Sequence, residues 1–282
     1  MPAILAALRL LRRRCSLQSL IADIMKQSKL IMKLLEFPHS HYCEKARWAL
    51  DYKGIPFQAV AIMPGFHMIT VRKYAPDTSV PVLLNNSEVV QGSSEIITYL
   101  EQRQPSYPLN PADADELRAC LEIERAMDER LGENIRQVLY YRLLAYPDFI
   151  RHCFTHPMSR LRQLIFSLFY PILRYKIYQT YVISAAKVEQ ANREFDVAMS
   201  ELENLLKQRQ YLIGEKFSRA DLSVASMLSL LVMPPEHPFP WQEIPDPQAK
   251  DFLEAFQCHP VSEWVRKMYR NHRLCKRVTP NE

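Results

Sequence analysis

The 282-residue chain is 48% hydrophobic and 24% charged, a soluble globular composition with material for a sizeable core and length for about two domains of roughly 100–200 residues each. Its net charge of +5 is carried by residues 1–31, where Arg9, Arg12, Arg13, Arg14, Lys26 and Lys29 stand against Asp23 alone. The remaining body is neutral and lacks the electrostatic footprint of a nucleic-acid-binding surface. Cys15, Cys43, Cys120, Cys153, Cys258 and Cys275 show no paired spacing, which argues against a disulfide framework and a metal site and fits a reducing compartment.

Residues 1–31 alternate apolar side chains with Arg and Ser and read as a basic amphipathic leader. Two readings stay open: an organelle-targeting or membrane-surface segment, or an upstream extension without a part in the fold. The apolar run Ile4–Leu11 is broken by Arg9, is too short to span a bilayer and has no secretory cleavage pattern. A cytoplasmic location is expected, with organelle targeting or membrane association through the leader as the alternative.

From Met32 the pattern changes. Leu34–Phe37 and Phe57–Ile62 read as strands, His41–Lys53 as a helix and Phe66–Lys73 as a weaker one. Val80–Leu84 and Glu88–Val90 flank Asn85-Asn86-Ser87 and read as an antiparallel pair. Ser93–Arg103, with Ile96, Ile97 and Leu100 on one face, closes a small α/β unit over 32–104. The proline-rich segment 105–112 marks a boundary, and no convincing strand follows. An all-helical unit is expected over 113–275, with 276–282 as a tail. Within it, Asp113–Ala145 and Val182–Arg209 read as long amphipathic helices, Arg219–Val232 as a more apolar one, and Ala249–Phe256 and Val261–Asn271 as shorter ones, after the proline-rich loop Pro234–Pro247.

Tyr146–Tyr181, rich in aromatic residues, Arg and Leu, is the least predictable stretch. Its apolar part is not a membrane span, because Arg174 and Lys176 at its centre would each cost about 2.5–3.5 kcal/mol at a bilayer midplane. A partly buried helix is expected, whose exposed aromatics line a pocket or touch a membrane surface.

The chemistry-bearing stretch is Glu36–Leu50, which leads a strand into a helix through a polar turn. That turn gathers the Ser40 hydroxyl, the Cys43 thiol and the unpaired N–H groups of a helix N-terminus, where a thiolate is stabilised. Three motifs identify a relative for the chain: Ser-His-Tyr-Cys-Glu-Lys-Ala-Arg-Trp-Ala-Leu over 40–50, Ser-Val-Pro-Val-Leu followed by Gly-Ser-Ser-Glu-Ile-Ile-Thr-Tyr-Leu over 79–100, and Phe-Ser-Arg-Ala-Asp-Leu over 217–222. In this order they resemble the cytosolic glutathione S-transferases of the serine and cysteine type. The resemblance covers Met32 to about Arg273 and implies a thioredoxin-like α/β N-terminal domain followed by an all-α domain, in a homodimer that uses glutathione for detoxification.

The resemblance also implies roles. Ser40 would donate a hydrogen bond to the glutathione sulfur and favour its ionised form, with a plain helix cap and a reactive Cys43 as the other readings. The Val80-Pro81 bond would be cis and would turn the Val80 backbone toward the cysteinyl backbone of glutathione. Ser93, beginning a helix, would bind the γ-glutamyl carboxylate. The family's acid before this serine is Gly92 here, so Gln91 or Glu95 would have to meet the γ-glutamyl amine. Glu36 occupies the place of the tyrosine in tyrosine-type members, which disfavours that mechanism. His39 and His41 are expected to be solvated turn residues, with proton carriage as the alternative. Tyr42 and Trp48 are expected in the core or at the domain interface. Tyr140, Tyr141 and the aromatics of 166–181 are candidates for the electrophile pocket.

The expected function is glutathione conjugation to an apolar electrophile. The alternatives are a glutathione-dependent reductase or isomerase, or a non-catalytic interaction or membrane-adaptor protein. Ser218-x-x-Asp221 is read as a helix-capping arrangement only.

Overall fold

A computed structural model describes residues 31–181 and 183–273. The expected leader, apart from Ile31, and the tail lie outside the described residues. Short runs built on Leu and Val pairs or on Ala-Val-Ala form β1 (Met32–Glu36), β2 (Phe57–Ala61), β3 (Val82–Asn85) and β4 (Glu88–Gln91). They make one mixed sheet in the order β2-β1-β3-β4. β1 runs parallel to β2, with Leu34 opposite Ala59, and antiparallel to β3, with Leu34 opposite Leu83. β3 and β4 form the hairpin, whose turn residue Asn86 takes φ 54°, the left-handed region that Asn tolerates. The parallel pair is joined by α1 (His41–Tyr52), while α2 (His67–Val71) is one short turn and α3 (Ser93–Arg103) follows β4.

The second half is helical: α4 (Ala114–Met127), α5 (Asn134–Leu143), α6 (Pro147–Thr155), α7 (Arg160–Thr180), α8 (Ala185–Leu206), α9 (Arg219–Val232), α10 (Pro247–Gln257) and α11 (Pro260–His272). Asp113 caps α4 by accepting from Asp115 N and Glu116 N, both at 2.9 Å. Asp221 holds the start of α9 by accepting from Ser218 N and Leu212 N, both at 2.8 Å. These capping residues account for boundaries that a propensity reading alone leaves loose.

One expected helix is interrupted. The stretch read as continuous from Asp113 to Ala145 contains a π-helical turn, Asp128–Glu133, between α4 and α5. Such a turn widens the helix and releases carbonyls from the regular ladder. Two of them are taken by α1: Tyr42 Oη donates to Asp128 O at 2.7 Å, and His41 Nε2 donates to Gly132 O at 3.1 Å. The interruption thus serves contacts across the two halves, which one-dimensional periodicity does not reveal. The unpredictable stretch 146–181 resolves into α6 and α7.

The two halves share one core. Leu34, Trp48, Ile96 and Leu100 from the first pack with Leu131, Leu228, Val265 and Tyr269 from the second, all fully buried. Each such side chain contributes roughly 1.5–3 kcal/mol of burial free energy, so the halves are joined by apolar packing. Charges at the seam are matched as well. Lys45, fully buried on α1, pairs with Glu124 at 2.8 Å and with Asp128, and donates to Ser94 Oγ at 2.9 Å. Arg219 of α9 pairs with Glu124 and donates to Ser94 O at 3.1 Å. A buried charge without such partners would be strongly destabilising.

Candidate active site

The β1–α1 turn is built by a single arginine. Arg47 on α1 donates to Glu36 Oε2 at the end of β1 (2.6 Å), to Pro38 O in the turn (3.0 Å) and to Glu44 Oε2 on its own helix (2.9 Å). Glu44 is itself held by Arg273 at 2.8 Å. Burial alone would raise the Glu44 carboxyl, but Arg273 and Arg47 hold it at about 2. Glu36 is therefore committed to a buried ion pair.

With the turn so fixed, Ser40 caps α1. Its N–H donates to Phe37 O at 2.9 Å, and its Oγ accepts from Cys43 N at a long 3.4 Å. Accepting that bond leaves the hydroxyl proton to be donated, either to the adjacent Cys43 sulfur or to a ligand, at the end of a helix where positive potential gathers. The neighbouring thiol has no such setting. Cys43 is fully buried, and burial together with the nearby Glu36 pushes its pKa up to about 12. A buried, protonated thiol is a packing group.

Ser40 opens on a cavity of about 530 Å³ between the two halves. The first half contributes Phe37, His39, Ser40, His67 and Val80 to its wall. α5 contributes Arg136 and Tyr140, α6 contributes Phe149, Ile150, Cys153 and Phe154, α7 contributes Leu173, Lys176 and Ile177, and Trp241 closes it from the loop before α10. The wall is apolar over most of its area, as small-molecule sites are. Arg136 and Lys176 are its cations; the Arg136 guanidinium lies 4.4 Å from the centroid of the Tyr181 ring, and its nearest carboxylate is the exposed Glu133 at 3.4 Å.

The residues singled out by sequence divide into groups. The cavity brings Ser40 and Val80 together. The Val80-Pro81 bond is cis, and Pro81 is buried behind it with its carbonyl accepting from Gly92 N at 3.0 Å. Gln91, Gly92 and Ser93 lie outside the cavity wall, at the junction of β4 and α3. Ser93 is buried, and its hydroxyl makes no hydrogen bond to another described residue. Gln91 Nε2 donates to Asp77 O at 3.1 Å and Ser79 O at 2.9 Å, tying β4 to the loop before Val80.

The two turn histidines are not solvated. His41 is 4% exposed, and His39 stacks on Phe154 of α6 with ring centroids 4.8 Å apart. The reason is the helical half, which closes over the turn and leaves His39 half-buried and His41 buried. Burial pushes His39 down to about 4 and His41 to about 3, so both are neutral near pH 7. Tyr42 is a seam residue through its bond to Asp128, and Trp48 is core, donating to His272 O at 3.0 Å. Tyr140 and Tyr181 line the cavity, whereas Tyr141 does not, and Phe166 and Tyr170 pack inside the α6–α7 cluster.

Sequence reading missed the α6 wall, Arg136, His67 and Trp241. A signal for α6 was present: Pro147 and Asp148 at a helix start, followed by apolar residues at 149, 150, 153 and 154 in helical spacing. Trp241 belongs to a proline-rich loop, where no periodicity points inward. Among the described residues no group of three His, Cys, Asp or Glu side chains is placed to hold a metal ion.

A mixed four-stranded sheet, a capped helix presenting a hydroxyl beside a cis proline loop, and a helical half that walls an apolar cavity define a glutathione transferase-type protein. Family comparison agrees. Residues 34–110 match the glutathione S-transferase N-terminal domain and residues 162–260 the C-terminal domain. The chain belongs to the glutathione S-transferase family.

Among similar proteins, maleylpyruvate isomerase of Ralstonia sp. is 33% identical over 118 residues, 41% of this chain and 54% of that protein. The chain thus spans about half the length of the curated relatives it first matches. Glutathione S-transferase TCHQD of Arabidopsis thaliana is 27% identical over 73% of this chain and 80% of its own length. In three dimensions, a glutathione S-transferase from Methylobacillus flagellatus KT, solved with GSH bound, aligns with a TM-score of 0.58 at 21% identity, covering 86% of this chain and 96% of that one. At that identity the likeness concerns the fold.

Proposed function

We propose that the protein binds glutathione along the edge formed by Ser40, Val80 and Ser93 and uses its thiolate on an apolar electrophile held in the cavity. The observation that carries this reading is the placement of Ser40: a helix-capping hydroxyl with a proton to donate, on the wall of an apolar cavity that also reaches Val80. A donated hydrogen bond and the positive helix end both favour the ionised sulfur, so the protein lowers a borrowed thiol's pKa and attacks nothing with its own atoms. The helical half orients the second substrate against that sulfur, converting an encounter into a positioned reaction. The GSH-bound Methylobacillus flagellatus KT structure supports the choice of ligand.

A second reading is isomerisation of an unsaturated carboxylate. The Ralstonia relative is named for such a reaction, and Arg136 gives the cavity a cation whose nearest carboxylate partner is a solvent-exposed one. The thiolate would add to a carbon–carbon double bond, the single bond so formed would rotate, and the thiolate would leave again, so glutathione would be regenerated. Conjugation consumes one glutathione per turnover and isomerisation consumes none.

The test is calorimetric titration of the protein with glutathione, followed by turnover with electrophiles while free thiol is counted. Binding is expected, and Ser40→Ala is expected to lower kcat by about 10²-fold or more while leaving the dissociation constant within a few-fold, as for removal of one donor to a developing anion. Cys43→Ala should leave kcat within a few-fold. Absence of glutathione binding would refute the proposal.

A further inference from the structure

Helix α7 carries its apolar side chains on the wrong side for a core. Phe166, Tyr170 and Ile177 face inward and are buried. On the opposite side Leu161, Leu164, Leu168, Ile172 and Tyr175 are each about 59–71% exposed, at spacings of three and four residues that place them on one face. The stripe continues past the helix. Exposed Phe66 meets Phe169 edge-on with ring centroids 5.4 Å apart, and Met68 and Ile69 beside it are exposed too. A continuous apolar surface of this kind marks an interaction site.

Charge identifies the partner. At 3.6 residues per turn, Arg160 and Arg174 border the stripe on one side and Arg162 and Lys176 on the other. None of these four pairs with a carboxylate among the described residues, and the sequence holds no Asp or Glu between Asp148 and Glu189. An apolar face edged on both sides by cations is the pattern of a helix that lies in a membrane interface. Its side chains enter the acyl boundary while Arg and Lys reach lipid phosphates. No described helix is long and apolar enough to cross a membrane, so α7 would lie along the surface. A second copy of the chain suits this face poorly, because a two-fold contact sets the same patch against itself and would oppose four cations to four.

We infer that the exposed face of α7, with the Phe66–Ile69 turn, docks the protein on an anionic lipid surface. The geometry links this face to the cavity. Met68, Leu173 and Lys176 belong to the same two segments and line the cavity wall. Docking therefore brings the cavity mouth to the lipid boundary, where apolar compounds concentrate. The inference concerns a surface outside the Ser40 site and stands whether or not glutathione binds.

The experiment is vesicle flotation of the full chain on phosphatidylcholine alone and on phosphatidylcholine mixed with phosphatidylserine. The parent is expected to float with the mixed vesicles and to be released as salt rises. Leu168→Glu with Ile172→Glu is expected to weaken that binding about tenfold or more, since it sets charge where acyl chains were met. Its fold is checked by circular dichroism. The exposed pair Arg160→Gln and Arg162→Gln, which leaves the apolar stripe intact, should weaken binding to mixed vesicles several-fold. Residues 1–31, with their own basic charge, are common to parent and variants, so any difference belongs to α7. Failure of the parent to bind mixed vesicles would overturn the inference, as would binding that both variant pairs leave unchanged. So would a parent dimer that the Leu168→Glu, Ile172→Glu pair dissociates without any vesicle binding, since the face would then belong to a second copy.

Discussion

Gly92 takes φ 102°, a conformation open to glycine and strained for any residue with a Cβ. A Cβ built there would stand 2.0 Å from Oε2 of Glu95, so the Glu95 carboxylate has folded back over the glycine at the start of α3. The family resemblance expects an acid at position 92; this chain instead delivers a carboxylate to that neighbourhood from within the first helical turn. On the proposed reading Glu95 meets the γ-glutamyl ammonium while Ser93 and the helix end receive the carboxylate. A charge-assisted hydrogen bond contributes about 1.5–3 kcal/mol. Glu95→Gln is therefore expected to raise the glutathione dissociation constant about tenfold in a calorimetric titration. Gly92→Asp restores the family's acid in sequence but adds a Cβ at a positive φ, and it is expected to lower the melting temperature without tightening binding. An unchanged dissociation constant in Glu95→Gln would remove Glu95 from the site.

At the scale of elements, the π-helical turn is the part that joins the halves at the site. Gly132 lies in it, and a Cβ there would come within 2.4 Å of Tyr42 Oη and 2.8 Å of Met227 Sδ. The close approach lets Gly132 O and Asp128 O reach His41 and Tyr42. Gly132→Ala is expected to cost about 1–3 kcal/mol by overpacking, read as a lower urea midpoint with an unchanged slope. If the midpoint does not move, the approach is looser than described. This element also shows where sequence reading stopped. The sheet, α1, α3 and the capped α9 were legible because strand alternation, turn residues and caps are local signals. Ser40 was legible for the same reason, as a cap residue at a strand–helix turn. The π turn was not, since the contacts it makes are with Tyr42 and Met227, which are distant in sequence. Neither were Arg136 and Trp241, whose inward placement depends on helix packing and on a loop path. The histidines were misjudged because a turn reads as exposed until another part of the chain covers it.

For the whole molecule, those covered histidines set a pH dependence. Burial holds His39 at about 4, His41 at about 3 and His67 at about 4, all below the ordinary 6.5. As pH falls through 6.5 the unfolded chain takes up protons at these positions while the folded chain does not, so acid favours unfolding. Asp221 opposes this: burial raises it to about 6, so the folded state takes up that proton first below pH 6. Glu44, held at about 2, adds its own loss only below its ordinary value of 4.5. Between pH 7.5 and 5.5 the histidines therefore prevail, with about 1.4 kcal/mol per pH unit for each fully shifted group. His237, which burial also holds at about 3, belongs in the same sum, and His39, His41 and His237 against Asp221 leave a net loss of about 3 kcal/mol, to which the partly exposed His67 adds less. Because His39, His41 and His67 line the cavity between the two halves and His237 faces Glu44 at 3.8 Å, this acid sensitivity is concentrated around the turn that forms the site. Urea unfolding at the two pH values should show the loss, and His41→Gln, which retains a donor for Gly132 O but does not titrate, should reduce it. A stability that stays level from pH 7.5 to 5.5 would mean that water reaches these imidazoles and that the seam is open in solution.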